Sequence, residues 1–201
     1  MENQRLQARE KKLIHILFLC FGFGIMAWIP RFPEVKSNLG LENGAFGSLM
    51  STGSIGAFLG LLTVGHIIHK YGALRVTVTA ILILFTSLSL LVHVHSSLIF
   101  LILNITFGFG ITAVHVSLNS HSFHFLERSK INLVTTSAGY WSVGSLSTAI
   151  LSGLLVGRVG LALHINLLSV VLAITMIAII FSLKGDLLTP NEDSEHDYTV
   201  K

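Results

Sequence analysis

Charge is the first thing this sequence is short of. Only 11% of its residues are Asp, Glu, Lys or Arg, against 52% apolar, whereas a soluble domain carries about 25% charged residues to wet its whole surface. A mean hydropathy of +0.75 points the same way and excludes an ordinary soluble enzyme or binding module. Acid is missing from the apolar stretches altogether, because all ten Asp and Glu residues fall between those stretches or at the ends. That absence excludes a proton relay built on a membrane-buried carboxylate. Cysteine is reduced to Cys20, so neither a disulfide framework nor a thiolate metal site is available. The net charge of +3 is scattered rather than clustered, and no nucleic-acid surface is expected. His-Glu-x-x-His and Gly-x-Ser-x-Gly patterns are both absent, so the chain is expected not to be an enzyme and to carry no cofactor and no metal. The N-terminus does not read as a cleavable signal, since the apolar run from Leu13 is too long and no small-residue cleavage site follows it.

What the sequence does contain is apolar segments of membrane-spanning length. A helix needs about 20 mainly apolar residues to cross the hydrocarbon core. Six segments meet that test: roughly Leu13–Arg31, Gly44–Gly65, Val76–Val92, Leu98–Asn119, Leu133–Leu155 and Leu161–Leu183. The breaks between them are chemically sensible, as at Pro30-Arg31-Phe32-Pro33, where proline lacks a donor and restrains its predecessor. The expected fold class is an all-α membrane protein. Its parts are an N-terminal segment 1–12, a six-helix bundle 13–183 and a disordered acidic tail 184–201. With the N-terminus inside, Arg5, Arg9, Lys11, Lys12, Lys70, Arg75, Arg128, Lys130, Lys184 and Lys201 share that side, against Arg31, Lys36 and Arg158 outside. This bias predicts a multi-pass protein of the inner or plasma membrane with both termini cytoplasmic.

The chain also repeats itself. Phe21-Gly22-Phe23-Gly24-Ile25 recurs as Phe107-Gly108-Phe109-Gly110-Ile111, and Ala27, Ser51 and Gly53 recur at the same offset as Ala113, Ser137 and Gly139. Slightly out of step, Gly65-x4-Lys70-x-Gly72 is echoed by Gly153-x4-Arg158-x-Gly160. An odd number of spans separates the copies, which predicts two inverted three-helix repeats, about 13–92 and 98–183. Paired inverted repeats are a transporter architecture with its site near the bilayer midplane.

The loop after the second span reads Gly65-His66-Ile67-Ile68-His69-Lys70-Tyr71-Gly72-Ala73-Leu74-Arg75. It resembles the G-x-x-x-D-[RK]-x-G-[RK]-[RK] signature that the major facilitator superfamily carries at the same place. Gly65, Lys70 and Gly72 match, Arg75 brings the later basic charge one residue late, and His69 stands where the family has aspartate. The resemblance covers residues 10–185 but only the N-terminal six helices of a twelve-helix member. It implies a half-transporter for a small solute, working by alternating access against a second six-helix bundle, either another copy or a separate chain. It implies gating-loop roles for Gly65, His69, Lys70, Gly72 and Arg75, although a neutral His69 cannot supply the aspartate's charge. Within the superfamily the chain is most similar to the fucose-permease-like bacterial branch, through Pro33-x2-Lys36-x2-Leu39-Gly40-Leu41, the region of Asn119, and Trp141-Ser142-Val143-Gly144.

The polar residues of the spans supply the candidate site. At 100° per residue, Asn104, Gly108, Thr112, His115 and Asn119 fall within about a quarter of the fourth span's circumference. Polar groups at membrane depth face the bundle interior or water, so Asn104, Thr112, His115 and Asn119 are candidate cavity-lining residues. The competing reading is glue between helices. Trp28 and Arg31 at the outer end of the first span join the candidates, Arg31 as a receiver of an anionic group and Trp28 alternatively as an interfacial anchor. Small residues recur every fourth position at Gly44, Ser48, Thr52, Gly56 and Gly60, and again at Ser145, Ala149 and Gly153. Such rows let helices approach closely, and the resemblance assigns them to contacts with the second half. The third and sixth spans, apolar all round, are expected to face lipid. The alternatives to a working half-transporter are a non-functional remnant, given the missing aspartate, and a six-span metal-binding protein or enzyme using His66, His69, His115, His121 and His124.

Overall fold

A computed structural model describes residues 2–187, with side chains from 4 to 183. Among these residues the chain forms eight α-helices and one short 3-10 turn, with no strand. Nothing between Glu2 and Met26 breaks a helix, and α1 (Glu2–Met26) runs through the segment 1–12 that hydropathy alone had set outside the bundle. Pro30 opens a 3-10 turn at Ile29–Arg31. Pro33 then sits in the first turn of α2 (Phe32–Leu39), where its missing N–H is not needed. The second span is split at Thr52 into α3 (Asn43–Ser51) and α4 (Gly53–Tyr71). The others are α5 (Ala73–Leu91), α6 (Ser97–Ser129), α7 (Val134–Leu155) and α8 (Leu161–Leu187). Helix α6 runs ten residues past the expected Asn119. Helix α8 passes the expected end at Leu183, and the tail beyond Leu187 lies outside the described residues.

Among the described residues five helical stretches are long and apolar enough to cross a membrane: Gln4–Leu39, Asn43–Tyr71, Ala73–Leu91, Ser97–Ser129 and Leu161–Leu183. Helix α7, expected as another span, has the length but not the hydropathy. Thr135, Thr136, Ser137, Gly139, Ser142, Gly144 and Ser145 dilute its apolar content.

The contacts fix the direction of every long helix. His15 and Gly22 of α1 and Ala27 just after it meet Thr136, Trp141 and Ser152 of α7 in rising order, so these two helices run parallel. Gly53, Gly56 and Gly60 of α4 meet Asn104, Ile105 and Thr112 of α6 in the same sense. By contrast, Phe21 faces His115 and Trp28 faces Phe107, which makes α1 and α6 antiparallel. Helix α5 opposes α6, with Thr77 against His121 and Leu84 against Gly110. It also opposes α8: Ser89 bonds Asn166, while Phe85 and Leu172 meet at Gly24. The chain therefore alternates up and down.

The internal repeat is written into these contacts. A Cβ on Gly22 would lie 2.2 Å from the Trp141 carbonyl oxygen, and one on Gly108 would lie 1.9 Å from the Gly53 carbonyl oxygen. Gly144 approaches Leu19 O and Phe23 N just as Gly56 approaches Ile105 O and Phe109 N. Gly24 packs on Leu172 of α8, and its counterpart Gly110 packs on Leu84 of α5. These glycine contacts of α1 with α7 thus have images between α6 and α4, as inverted three-helix units require. The loop echo does not extend so far. Gly72 has φ 84°, whereas the second copy turns through Gly157 at φ 74° and not through Gly160.

Two sequence expectations about faces change. The row Thr52, Gly56, Gly60 packs inside this bundle against α6, because only glycine lets the two backbones close to that distance. On α7 Trp141, Gly144 and Ser152 face α1 together with Ser145 of the expected row, whereas Gly153 of that row meets nothing within 4 Å. Helix α5 faces outward on one side only, through Thr79, Leu82 and Leu90, while Val76, Ala80, Ile81, Leu84, Leu88 and Leu91 are buried between its neighbours. Helix α8 fits the expectation better, exposing Leu163, Leu167, Val170, Val171, Ile174 and Phe181.

Candidate functional site

The first, second and fourth spans enclose a half-open cavity of about 290 Å³. Helix α1 and the turn after it contribute Ile25, Met26, Trp28 and Ile29, α3 and α4 contribute Met50, Gly53, Ser54 and Ala57, and α6 contributes Asn104, Phe107, Gly108 and Ile111. Gly53 and Gly108 are small here because their backbones touch, which draws α4 onto α6 and sets the cavity floor. Trp28 is buried in the wall, not at an interface. Its ring stands edge-on to Phe107 at 5.2 Å and to Phe32 at 4.9 Å, and Phe32 continues the cluster to Phe46 at 5.9 Å.

Asn104 is 2% exposed and borders this cavity. Its amide nitrogen donates to the carbonyls of Leu49 at 3.1 Å and Met50 at 2.9 Å and approaches Thr52 Oγ1 at 3.1 Å. Where α3 gives way to α4 the Leu49 carbonyl also accepts from the Thr52 N–H and hydroxyl, and the Asn104 amide adds a donor from α6 where unmet backbone groups would be costly. Asn104 therefore braces the kink, and its amide hydrogens are already engaged. Thr112 packs by Cβ and Cγ2 against Gly60 at the α4–α6 crossing. His115 is exposed, with its ring stacked over Phe21 at 6.1 Å. Asn119 donates to the His115 carbonyl of its own helix at 2.9 Å. The stripe read from the sequence thus divides into a brace at Asn104, a packing contact at Thr112 and one open side chain, His115.

Arg31 lies elsewhere. Its guanidinium is fully buried, paired with Glu34, and donates to the Val159 carbonyl at 2.7 Å. That ties the turn after α1 to the turn between α7 and α8, and leaves Nη1 buried without a hydrogen-bond partner. Glu10 and Arg128 form a second ion pair that the sequence did not reveal, joining the start of α1 to the end of α6. Its signal was the unbroken helix through Glu10. His15 is likewise structural, bonded to Thr136 at 3.0 Å and stacked on Tyr140 at 4.4 Å.

The gating-loop residues form one tight turn. His69 and Lys70 close α4, Gly72 takes the positive φ that glycine adopts without strain, and Arg75 opens α5. Gly65 has open space at its Cα. The histidines weighed as a metal set do not converge: His121 is bonded to Thr77 at 2.9 Å, and His124 faces Glu127 at 3.5 Å. Among the described residues no three of His, Cys, Asp and Glu come together.

Compared with known proteins, residues 14–197 match the family model described as the Major Facilitator Superfamily. No curated protein and no solved structure matches the chain.

Proposed function

The chain belongs to the major facilitator superfamily, a family of multi-pass membrane transporters, and from that premise we propose that it is one half of a transporter for a small solute. The cavity between α1, α4 and α6 is its half of the translocation path, and a second six-helix bundle closes it. The observation that carries this reading is the contrast between faces. On the cavity side small and polar residues reach the surface, Ser48, Ser51 and Ser54 on α3–α4 and Gly139 and Ser142 on α7, interspersed with apolar side chains such as Phe58 and Leu146, whereas α8 exposes mainly aliphatic side chains. Lipid suits the second face. The first suits water and a protein partner, because polar groups at membrane depth turn away from hydrocarbon. Helix α7, too polar for the hydropathy test, acts as the sixth span because that face meets protein. Movement of two such bundles about a site between them is alternating access.

The wall chemistry bears on the solute. Trp28, Phe107 and Ile111 give apolar contact, and Ser54 is the hydroxyl at the rim. His115 is the one exposed imidazole on the α6 stripe. Both termini lie on the cytoplasmic side in this reading, as the distribution of Lys and Arg supports. His69 in place of the signature aspartate favours one other reading, a chain that folds but no longer transports.

Cysteine accessibility tests the path. In a Cys20→Ser background, single cysteines at Ser54, Ala57 and Ile111 should react with a membrane-impermeant maleimide in native membranes, while those at Leu167 and Val170 should not. Equal protection of both sets would end the assignment of this cavity to a solute path.

A further inference from the structure

The turn between α4 and α5 is cationic, and its neighbourhood holds no acid to answer it. From Asn43 to Leu126 the sequence contains no Asp or Glu, so no acid stands in α4, in α5 or in α6 as far as Leu126. At the same end of the bundle Glu127 faces His124, and Glu10 is paired with Arg128. Lys70 lies over the Tyr71 ring at 5.2 Å, and Arg75 is exposed and forms no ion pair among the described residues. An aspartate at position 69 would cancel one of these charges; the neutral His69 leaves both.

Directly below this turn a cavity of about 360 Å³ opens between α4 and α5 over a floor of Phe109 and Ala113. Tyr71 and Arg75 stand at one end and Ile83 at the other. The hydroxyl of Thr79, a polar atom in the wall, is already donated to the Arg75 carbonyl at 2.9 Å, so a polar solute would find little to bond. Eight residues separate Arg75 from Ile83, about 12 Å along the helix at 1.5 Å per residue. That is close to one leaflet of a hydrocarbon core about 30 Å thick. A helix about 10 Å across is too wide for this volume. An acyl chain is not.

We propose that this groove binds one acyl chain of an anionic phospholipid, with the lipid phosphate held by Arg75 and Lys70. Charge complementarity selects the headgroup, since basic residues at a membrane surface concentrate anionic lipids. The apolar groove selects a chain over a free anion. The site is separate from the solute cavity, being formed by α4, α5 and α6 without α1.

Native mass measurement on the purified full-length chain tests this, with 1-palmitoyl-2-oleoyl-phosphatidylglycerol as the probe and the matching phosphatidylcholine as competitor. One phosphatidylglycerol per chain should be retained, with a preference of roughly thirtyfold, as about two cation contacts give. Arg75→Gln should lower retention several-fold. Thr79→Trp, at an exposed wall position, should abolish it while leaving the melting temperature unchanged. Three results would overturn the proposal. Full retention by Thr79→Trp would mean headgroup adsorption outside the groove. Displacement by glycerophosphoglycerol, which has the phosphate but no chains, would mean a free-anion site. A protein dimer without lipid, lost in Thr79→Trp, would mean that protein fills the groove.

Discussion

Gly56→Ala isolates the packing on which the cavity depends. A Cβ at this position would lie 1.8 Å from the Ile105 carbonyl oxygen, 2.7 Å from its carbon and 2.8 Å from Phe109 N. All three are backbone atoms of α6 and cannot rotate away. Carbon–oxygen contacts across helix interfaces settle at about 3.3–3.6 Å, so α4 and α6 must separate by about 1.5 Å. Overpacking costs about 1–3 kcal/mol, and a backbone obstacle places this case near the upper end. Alanine returns about 1 kcal/mol of helix propensity over glycine, leaving a net loss of about 2 kcal/mol. For a chain of this size that lowers Tm by roughly 4–8 °C. The assay is thermal unfolding of the solubilised protein, with Gly65→Ala as control. Gly65 meets nothing within 4 Å, and its alanine should be neutral or slightly stabilising. Gly144→Ala should behave like Gly56→Ala, because Gly144 makes the image contact on Leu19 and Phe23. If Gly56→Ala and Gly65→Ala melt together, the close α4–α6 approach is not a feature of the protein.

Other positions give independent checks. Asn104→Asp should destabilise by about 1–3 kcal/mol, more than Asn104→Ser, because the carboxylate keeps the shape, loses the bonds donated to the Leu49 and Met50 carbonyls and sets a buried negative charge against their oxygens; unfolding of both variants measures it. Gly72→Ala forces a side chain into φ 84° and should cost about 1 kcal/mol or more, seen as faster proteolysis at the α4–α5 turn. Glu10→Gln should cost about 1 kcal/mol, below the range for fully buried pairs because Arg128 is 39% exposed. Its effect should vanish in an Arg128→Gln background.

The helices were legible in the sequence because hydrocarbon leaves a chain few options, and their ends were legible where Pro30, Pro33 and Gly72 interrupt them. The repeat was legible as Phe-Gly-Phe-Gly, and the structure gives its reason: one glycine of each pair closes on α7 or α4, the other on α8 or α5. Side-chain roles were less legible. Periodicity placed Asn104 on an inward face but could not show that Thr52 breaks the second span and brings the Leu49 and Met50 carbonyls within reach of the Asn104 amide. Arg31 looked free because its partners, Glu34 and Val159, meet it only once the turn after α1 folds against the one before α8. Hydropathy cut the first helix at Leu13 and so separated Glu10 from the bundle in which it is buried.

The central claim is that this bundle works only against a second one. The purified chain, reconstituted in lipid discs and weighed, should have the mass of two six-helix bundles or none that carries solute. Liposomes holding the paired form should take up solute, and uptake should fall when Trp28 is replaced by Ala. A stable monomer that accumulates solute by itself would contradict the account.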